Sequence, residues 1–352
     1  MSFTPPRCPY SSCDAHAGKA PFLWRRRGQF RRAFDGRTVQ RFRCLICARS
    51  FSTQTFRLDY RLKKPGLSRP VFLHFVSKVT HRQSARVLGI NRKTVHQRLR
   101  LLGAHSRLFH HWRMLRPRVR GRLAGSFQLD ELETFETSRR LRPLTVPVLI
   151  EKSSRFVVHT DVGTLPSRGR LSPHEQAKKE AMVKAEGPRK NGSRAAVGEC
   201  LAALSEATAG IERVVVRTDE KQSYPAALKR AIGKRLVHKR SSSKLPRTTS
   251  NPLFSINHTL AMLRDGCSRL VRRSWAHAKK ARFLERHLWI WVVYRNYVRR
   301  WKASGEQVSS AMKAGVEKGM WKLRRLLRWN LRAVLDPRLL PGGGSAAGTP
   351  DQ

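Results

Sequence analysis

A formal charge of +50, from 73 lysines and arginines against 23 aspartates and glutamates in 352 residues, limits this chain more than any other feature. Charges of one sign in that number repel in any compact state, so the chain needs a polyanion close by. The basic residues run through the whole length and are interleaved with apolar periodic segments. That pattern argues for a folded nucleic-acid binder over a solvated basic face or a ribosomal-type tail. Such binding is expected to be tight and to weaken steeply with salt, because each neutralised phosphate releases counterions. Hydrophobic residues make up 40 % of the sequence, enough for a sizeable core, and the length suggests two or three domains. The scarcity of acids has a second consequence, since an acid at a strand end stands out.

Four of the six cysteines fall in the first 47 residues. Cys8 and Cys13 have four residues between them, Cys44 and Cys47 two, and the pairs are 30 residues apart. Two short-spaced pairs joined by a hairpin-sized stretch can supply four thiolates to one tetrahedral Zn²⁺, as in a zinc ribbon. His16 is the alternative to Cys13. In RFRCLICARSF the alternation of Phe42, Cys44 and Phe51 suits a hairpin whose turn carries ligands. The start of the chain lacks the basic-then-apolar pattern of a signal peptide. The apolar cluster at 288–294 is too short to span a bilayer and is bracketed by Arg and His. The expected location is therefore cytoplasmic, with the protein associated with the nucleoid and not with a membrane.

Residues 72–101 carry a helix-turn-helix pattern: small Ala85 at a helix crossing, Gly89 in the turn, and Leu88, Ile90 and Val95 as apolar anchors. The recognition helix is then 92–101, with Arg92, Lys93, Thr94, His96 and Gln97 outward and able to reach phosphates or base edges. A basic helical hairpin without that role has the same apolar spacing.

From Ser126 the pattern changes to short strands. Segments at 127–135, 146–150 and 155–162 read as a meander, followed by helices near 173–184 and 195–208 and a strand at 213–218. A helix at 223–232 with Pro225 in its first turn, a strand at 235–239 and helices at 255–273 and 277–302 complete the pattern. Asp130 and Asp219 lie at strand ends. Alone, each reads as a solvated strand end or a helix cap; in strands lying side by side they can converge on paired Mg²⁺ ions, which take hard oxygen ligands and promote phosphoryl transfer. A third ligand is expected from a later helix, and Asn257 is the first choice, with His258, Asp265 and Glu285 as alternatives. The aromatic residues between Trp275 and Trp301 read as packing.

Taken together, QSARVLGINRKTVHQRL, QLDELETF, VVVRTDEKQSYP, NPLFSINHTLAMLRD and the cysteine pairs resemble bacterial insertion-sequence transposases of the DDE superfamily, in the group with an N-terminal zinc ribbon and helix-turn-helix related to insertion sequence one and ISXO-type elements. The resemblance covers nearly the whole chain. It implies a ribonuclease-H-like α/β core, a mixed sheet flanked by helices, with Asp130, Asp219 and Asn257 as the catalytic positions; Asn257 stands where a glutamate is usual. The implied organisation is a ribbon over 1–57, a helix-turn-helix over 71–104, a basic connector over 105–125, a catalytic domain over 126–302 and a basic C-terminal region over 303–352 ending in a disordered tail. The implied partners are double-stranded DNA, as terminal repeats and as target, and further copies of the chain in a dimer or larger assembly. The rival expectations are a non-enzymatic DNA-binding regulator, including a transposase-derived protein that has lost catalysis, and an RNA-binding basic protein.

Overall fold

The computed structural model describes residues 3–329 apart from 34, 243, 247, 272–275 and 303–306. The expected tail and Trp275 lie outside the described residues. The chain divides into two compact units, Met1–Gly66 with Arg324–Gln352, and Leu67–Leu323.

The first unit holds a short helix α1 (Asp14–Ala17) and a three-stranded antiparallel sheet, β1 (Trp24–Arg31), β2 (Thr38–Cys44) and β3 (Ser50–Ser52), in the order β1-β2-β3. The β2–β3 register sets Phe42 opposite Phe51, and their rings stack 5.6 Å apart. Trp24 meets Phe42 edge-on at 5.3 Å and Phe56 meets Phe51 at 5.8 Å. This aromatic cluster, with the cysteines, is nearly all the core the unit has. Beyond Trp24 every residue of β1 is exposed.

The second unit opens with three helices, α2 (Ser68–Val76), α3 (His81–Val87) and α4 (Arg92–Met114). Thr80 caps α3 in a reciprocal box with Gln83, Asn91 caps α4 through the Lys93 amide at 2.7 Å, and Gly89 turns the chain between them at φ +59°. The helix from Arg92 continues to Met114, ten residues into the stretch the sequence reads as a connector. Its buried face repeats at helical spacing as Val95, Leu99, Leu102, His105, Phe109 and Arg113.

Six strands form the main sheet: β4 (Ser126–Phe135), β5 (Pro143–Glu151), β6 (Val157–Thr160), β7 (Gly163–Thr164), β8 (Val214–Thr218) and β9 (Leu236–Arg240). The order is β6-β5-β4-β8-β9, with β7 also on β5. The meander β4-β5-β6 is antiparallel, as the sequence pattern indicates, whereas β8 and β9 join in parallel. The helices between strands are α5 (Pro173–Glu186), with no buried residue, then α6 (Ser193–Ala207) and α7 (Tyr224–Ile232). The helices α8 (Phe254–Gly266) and α9 (Ala281–Val293) follow the sheet. All nine residues of β5 are buried, since α8 and α9 cover one face of the sheet and α6 packs on the other. The expected helix at 277–302 breaks from α into a π-helical turn at Tyr294–Val298. Among the described residues no helix is long and apolar enough to cross a membrane.

Helices α4 and α9 cross at Gly103, where a Cβ would lie 2.5 Å from Arg286 Cβ and 2.6 Å from its carbonyl oxygen. Gly103→Ala is expected to destabilise the protein by about 1–3 kcal/mol through overpacking, although alanine is the better helix former by about 1 kcal/mol. Urea unfolding checks this, and a variant more stable than the parent would contradict so close a crossing.

Candidate functional site

The cysteine pairs come from opposite sides of the small sheet's end. Cys8 lies in the N-terminal loop and Cys13 precedes α1, while Cys44 ends β2 and Cys47 sits in the β2–β3 turn, where Ala48 takes φ +58°. All four Sγ atoms lie within 4.8 Å of one another. Cys8 and Cys47 are 3.7 Å apart and Cys13 and Cys44 3.9 Å, close to the edge of about 3.8 Å for a tetrahedron of sulfurs bonded to one Zn²⁺. Burial pushes the Cys8 and Cys47 thiols up, so a cation here displaces protons as it binds. Nδ1 of His16, the alternative to Cys13, is 2.7 Å from the Cys8 carbonyl oxygen and outside the four-sulfur group.

The second cluster of chemistry-bearing groups is built by the pleat of β4. Gln128, Asp130 and Leu132 pair with Ile150, Val148 and Val146 of β5, residues that pack in the core beneath α8 and α9. Paired residues project to the same face, which puts Asp130 on the α8 side. In the parallel pairing with β8, Gln128 is opposite Arg217. The pairing ends there: Asp130 lies two residues further along β4, and Asp219 is the first residue beyond the end of β8. Both are half-buried. Asp130 accepts the Glu131 amide at 2.7 Å, and Asp219 accepts the Lys221 amide at 3.1 Å, which starts the turn into α7.

Gln128 also locates the third expected residue. Its side chain donates to the Pro252 carbonyl at 2.7 Å and accepts the Ile256 amide at 2.8 Å, tying the first turn of α8 to β4 two residues before Asp130. Leu253, Ile256 and Leu260 face the sheet, and helical spacing puts Asn257 on that stripe, four residues after Leu253 and three before Leu260. The alternatives are engaged elsewhere: His258 with Arg155 at 3.2 Å, Asp265 with Lys78 at 3.6 Å and Glu285 with Arg107 at 2.8 Å.

Glu131, which sequence reasoning left without a role, projects to the opposite face. Its carboxylate takes Lys221 Nζ at 2.5 Å, Thr145 Oγ1 at 2.6 Å, Tyr224 hydroxyl at 2.9 Å and Ser193 Oγ at 3.0 Å. Against the opposing effect of burial, those donors hold it below the ordinary carboxylate range. Burial and the charges of Glu131, Asp130 and Asp219 together push the Tyr224 hydroxyl up. Asp130, expected at a strand end, is the fifth of the ten residues of β4 and so lies mid-strand, whereas Asp219 does follow the last residue of β8; Tyr224 feels the charge of both and of Glu131. The signal in the sequence was the DELE run itself, where alternation sends neighbours to opposite faces.

No protein-family model matches the chain, and no curated protein matches its sequence.

Of the five residues expected to face outward from the start of α4, Arg92, Lys93 and Gln97 are exposed and Thr94 is half-buried. His96 departs from the expectation. Its ring packs edge-on against Phe283 at 4.4 Å and lies 6.0 Å from His81, in a cavity of about 460 Å³ that also meets Arg82, Arg269, Lys279 and Lys280. Burial and Arg269 push His96 down, and the same causes take His81 down to about 2. Both imidazoles are therefore neutral at pH 7, and the positive charge here comes from Arg and Lys.

Cys44→Ser, or treatment with a strong chelator, is expected to release one zinc ion per chain and to melt Met1–Gly66 while the unfolding transition of Leu67–Leu323 persists. Metal analysis with limited proteolysis reads both; a protease-resistant N-terminal unit containing no metal would contradict the assignment.

Proposed function

We propose that this protein is a DNA transposase of the DDE type, binding the ends of a mobile element and catalysing metal-dependent strand cleavage and strand transfer. The observation that carries the reading is the parallel pairing of β4, which holds Asp130, with β8, which Asp219 follows, with α8, the helix that bears Asn257, packed against β4. The sheet order, an antiparallel meander followed by two parallel strands, is the order a ribonuclease-H-like core requires and supports the same reading. So does the pair α3 and α4, joined through Gly89 as in a helix-turn-helix.

In this reading Asp130 and Asp219 hold divalent cations through carboxylate oxygens, and the Asn257 carbonyl adds a neutral ligand. A divalent cation such as Mg²⁺ held there would supply Lewis acidity for an in-line displacement. Gln128 keeps the first turn of α8 tied to β4, two residues before Asp130. Lys221 is drawn to Glu131 on the opposite face. Arg92, Lys93 and Gln97 present charge and amide donors to the duplex, and the cysteine cluster holds structural zinc in a ribbon whose β1 arginines meet phosphates. Both ends of an element must be held at once, so a dimer or larger assembly on DNA belongs to the proposal.

The test is nicking and joining of a labelled duplex carrying the element's terminal repeat, with Mg²⁺ or Mn²⁺. Cleavage at the repeat boundary is expected, and Asp130→Ala and Asp219→Ala are each expected to abolish it while leaving binding intact. Specific binding with no cleavage under either metal would instead identify an inactive DNA-binding regulator, the outcome to which the uncharged Asn257 points. No preference for the repeat at moderate salt would overturn the reading.

A further inference from the structure

One residue beyond Asn257, His258 opens on a different space, a cavity of about 340 Å³ between α8, α9 and the π-helical turn, lined also by Trp291, Arg295 and Arg299. Arg295 is 2 % exposed. One of its terminal nitrogens donates to Ser310 Oγ, and its Nε has no hydrogen-bond partner among the described residues. No carboxylate among the described residues forms an ion pair with it; the one acid on the cavity wall, Asp265, is on the rim, 85 % exposed and directed at Lys78. Burying a guanidinium without a counter-charge is costly, and chains retain one mainly where an anion completes it.

Two further features converge on the same space. Arg155 sits in the β5–β6 turn at φ +51°, a conformation that non-glycine residues seldom hold without a reason outside the backbone. Its guanidinium lies 5.5 Å from the ring centres of both Phe254 and Trp301 and reaches His258 at 3.2 Å. The π-helical turn, a form that recurs at functional positions, is what carries Arg295. Burial first, then the charges of Arg299 and Arg155, takes Arg295 down to about 10. Arg295, Arg299 and His258 line the cavity and Arg155 touches its wall through His258; guanidiniums gathered in this way suit a tetrahedral oxyanion, which accepts from several planar forks at once.

We propose that Arg155, Arg295, Arg299 and His258 form a phosphate-binding subsite, and that it holds a backbone phosphate of the DNA strand passing the start of α8. The identity of the phosphate's source rests on the DNA reading above, whereas the subsite itself does not.

The experiment follows the ring resonances of His258 in the full chain, assigned with His258→Gln, during titration with inorganic phosphate against chloride at constant ionic strength. A saturable shift is expected in the parent and in Arg230→Glu, an exposed charge change on α7, with apparent affinity at least about tenfold weaker in Arg299→Glu. Arg299 is exposed, so that variant keeps its fold. No saturable shift, or one that Arg299→Glu leaves unchanged, overturns the subsite. Short duplex DNA is then added: displacement of phosphate supports the backbone assignment, and phosphate binding undiminished in the DNA-saturated protein overturns it in favour of a small phosphate-bearing molecule. A phosphate response that persists in a protein unable to bind or cleave DNA would sink the transposase reading and leave the subsite standing.

Discussion

The parallel pairing of β4 with β8 sets everything on this face of the second unit. β4 is the sheet's middle strand, hydrogen-bonded to the meander on one side and to β8 on the other. Because side chains alternate, its register decides that Asp130 goes to the α8 face while Glu131 goes behind to Lys221, Thr145, Ser193 and Tyr224. A slip of one residue would exchange the two acids, take Glu131 away from its four donors and send the strand's core-facing side chains to the other face. The Glu131 network opposes that slip, since four donors from β5, α6, α7 and the loop after β8 converge on one carboxylate. Gln128 does the same on the front face by holding both ends of the loop-to-helix step that begins α8.

The charge ratio is met by using acids as anchors. Glu317 is buried and takes Arg113, Arg116 and Arg118 together. Glu136 takes Arg142 and Arg189 and also accepts the Ala281 amide at the start of α9. Glu151 is buried against the hydroxyls and amides of Ser153 and Ser154 in the turn that presents Arg155. Glu136, Glu151 and Glu317 are the buried acids among the described residues, and with only 23 acids against 73 lysines and arginines most of the cationic excess lies at the surface and in the cavities beside α4 and α8. That distribution suits a polyanion tracked over a long path, whose affinity would depend on salt more than on any one contact.

Much of this was legible in the sequence because apolar alternation and strand-end residues are local signals. The meander, the β8 strand before Asp219, the proline-started α7 and the sulfur ligands could all be read from spacing. The long reach of α4 could not, because its buried face includes Arg98, His105, His110 and Arg113, which read as polar surface. Burial there depends on partners far along the chain: His110 bonds the Val158 carbonyl and the Tyr297 hydroxyl, and Arg113 pairs with Glu317. His96 was misjudged for the same reason, since Phe283, which covers it, lies on a helix nearly two hundred residues away. The arginine cavity beside His258 had no signature at all in a chain where arginine is everywhere; what the sequence could not show is that Arg295 is buried, with no acid ion-paired to it among the described residues.

The central claim is that Asp130 and Asp219 share a divalent cation, and anomalous diffraction from crystals soaked in Mn²⁺ tests it most directly. A peak within coordination distance of both carboxylates, lost in Asp219→Ala crystals, is the expected result. Carboxylates that remain free of metal at saturating Mn²⁺, with the β4–β8 register intact, would contradict it.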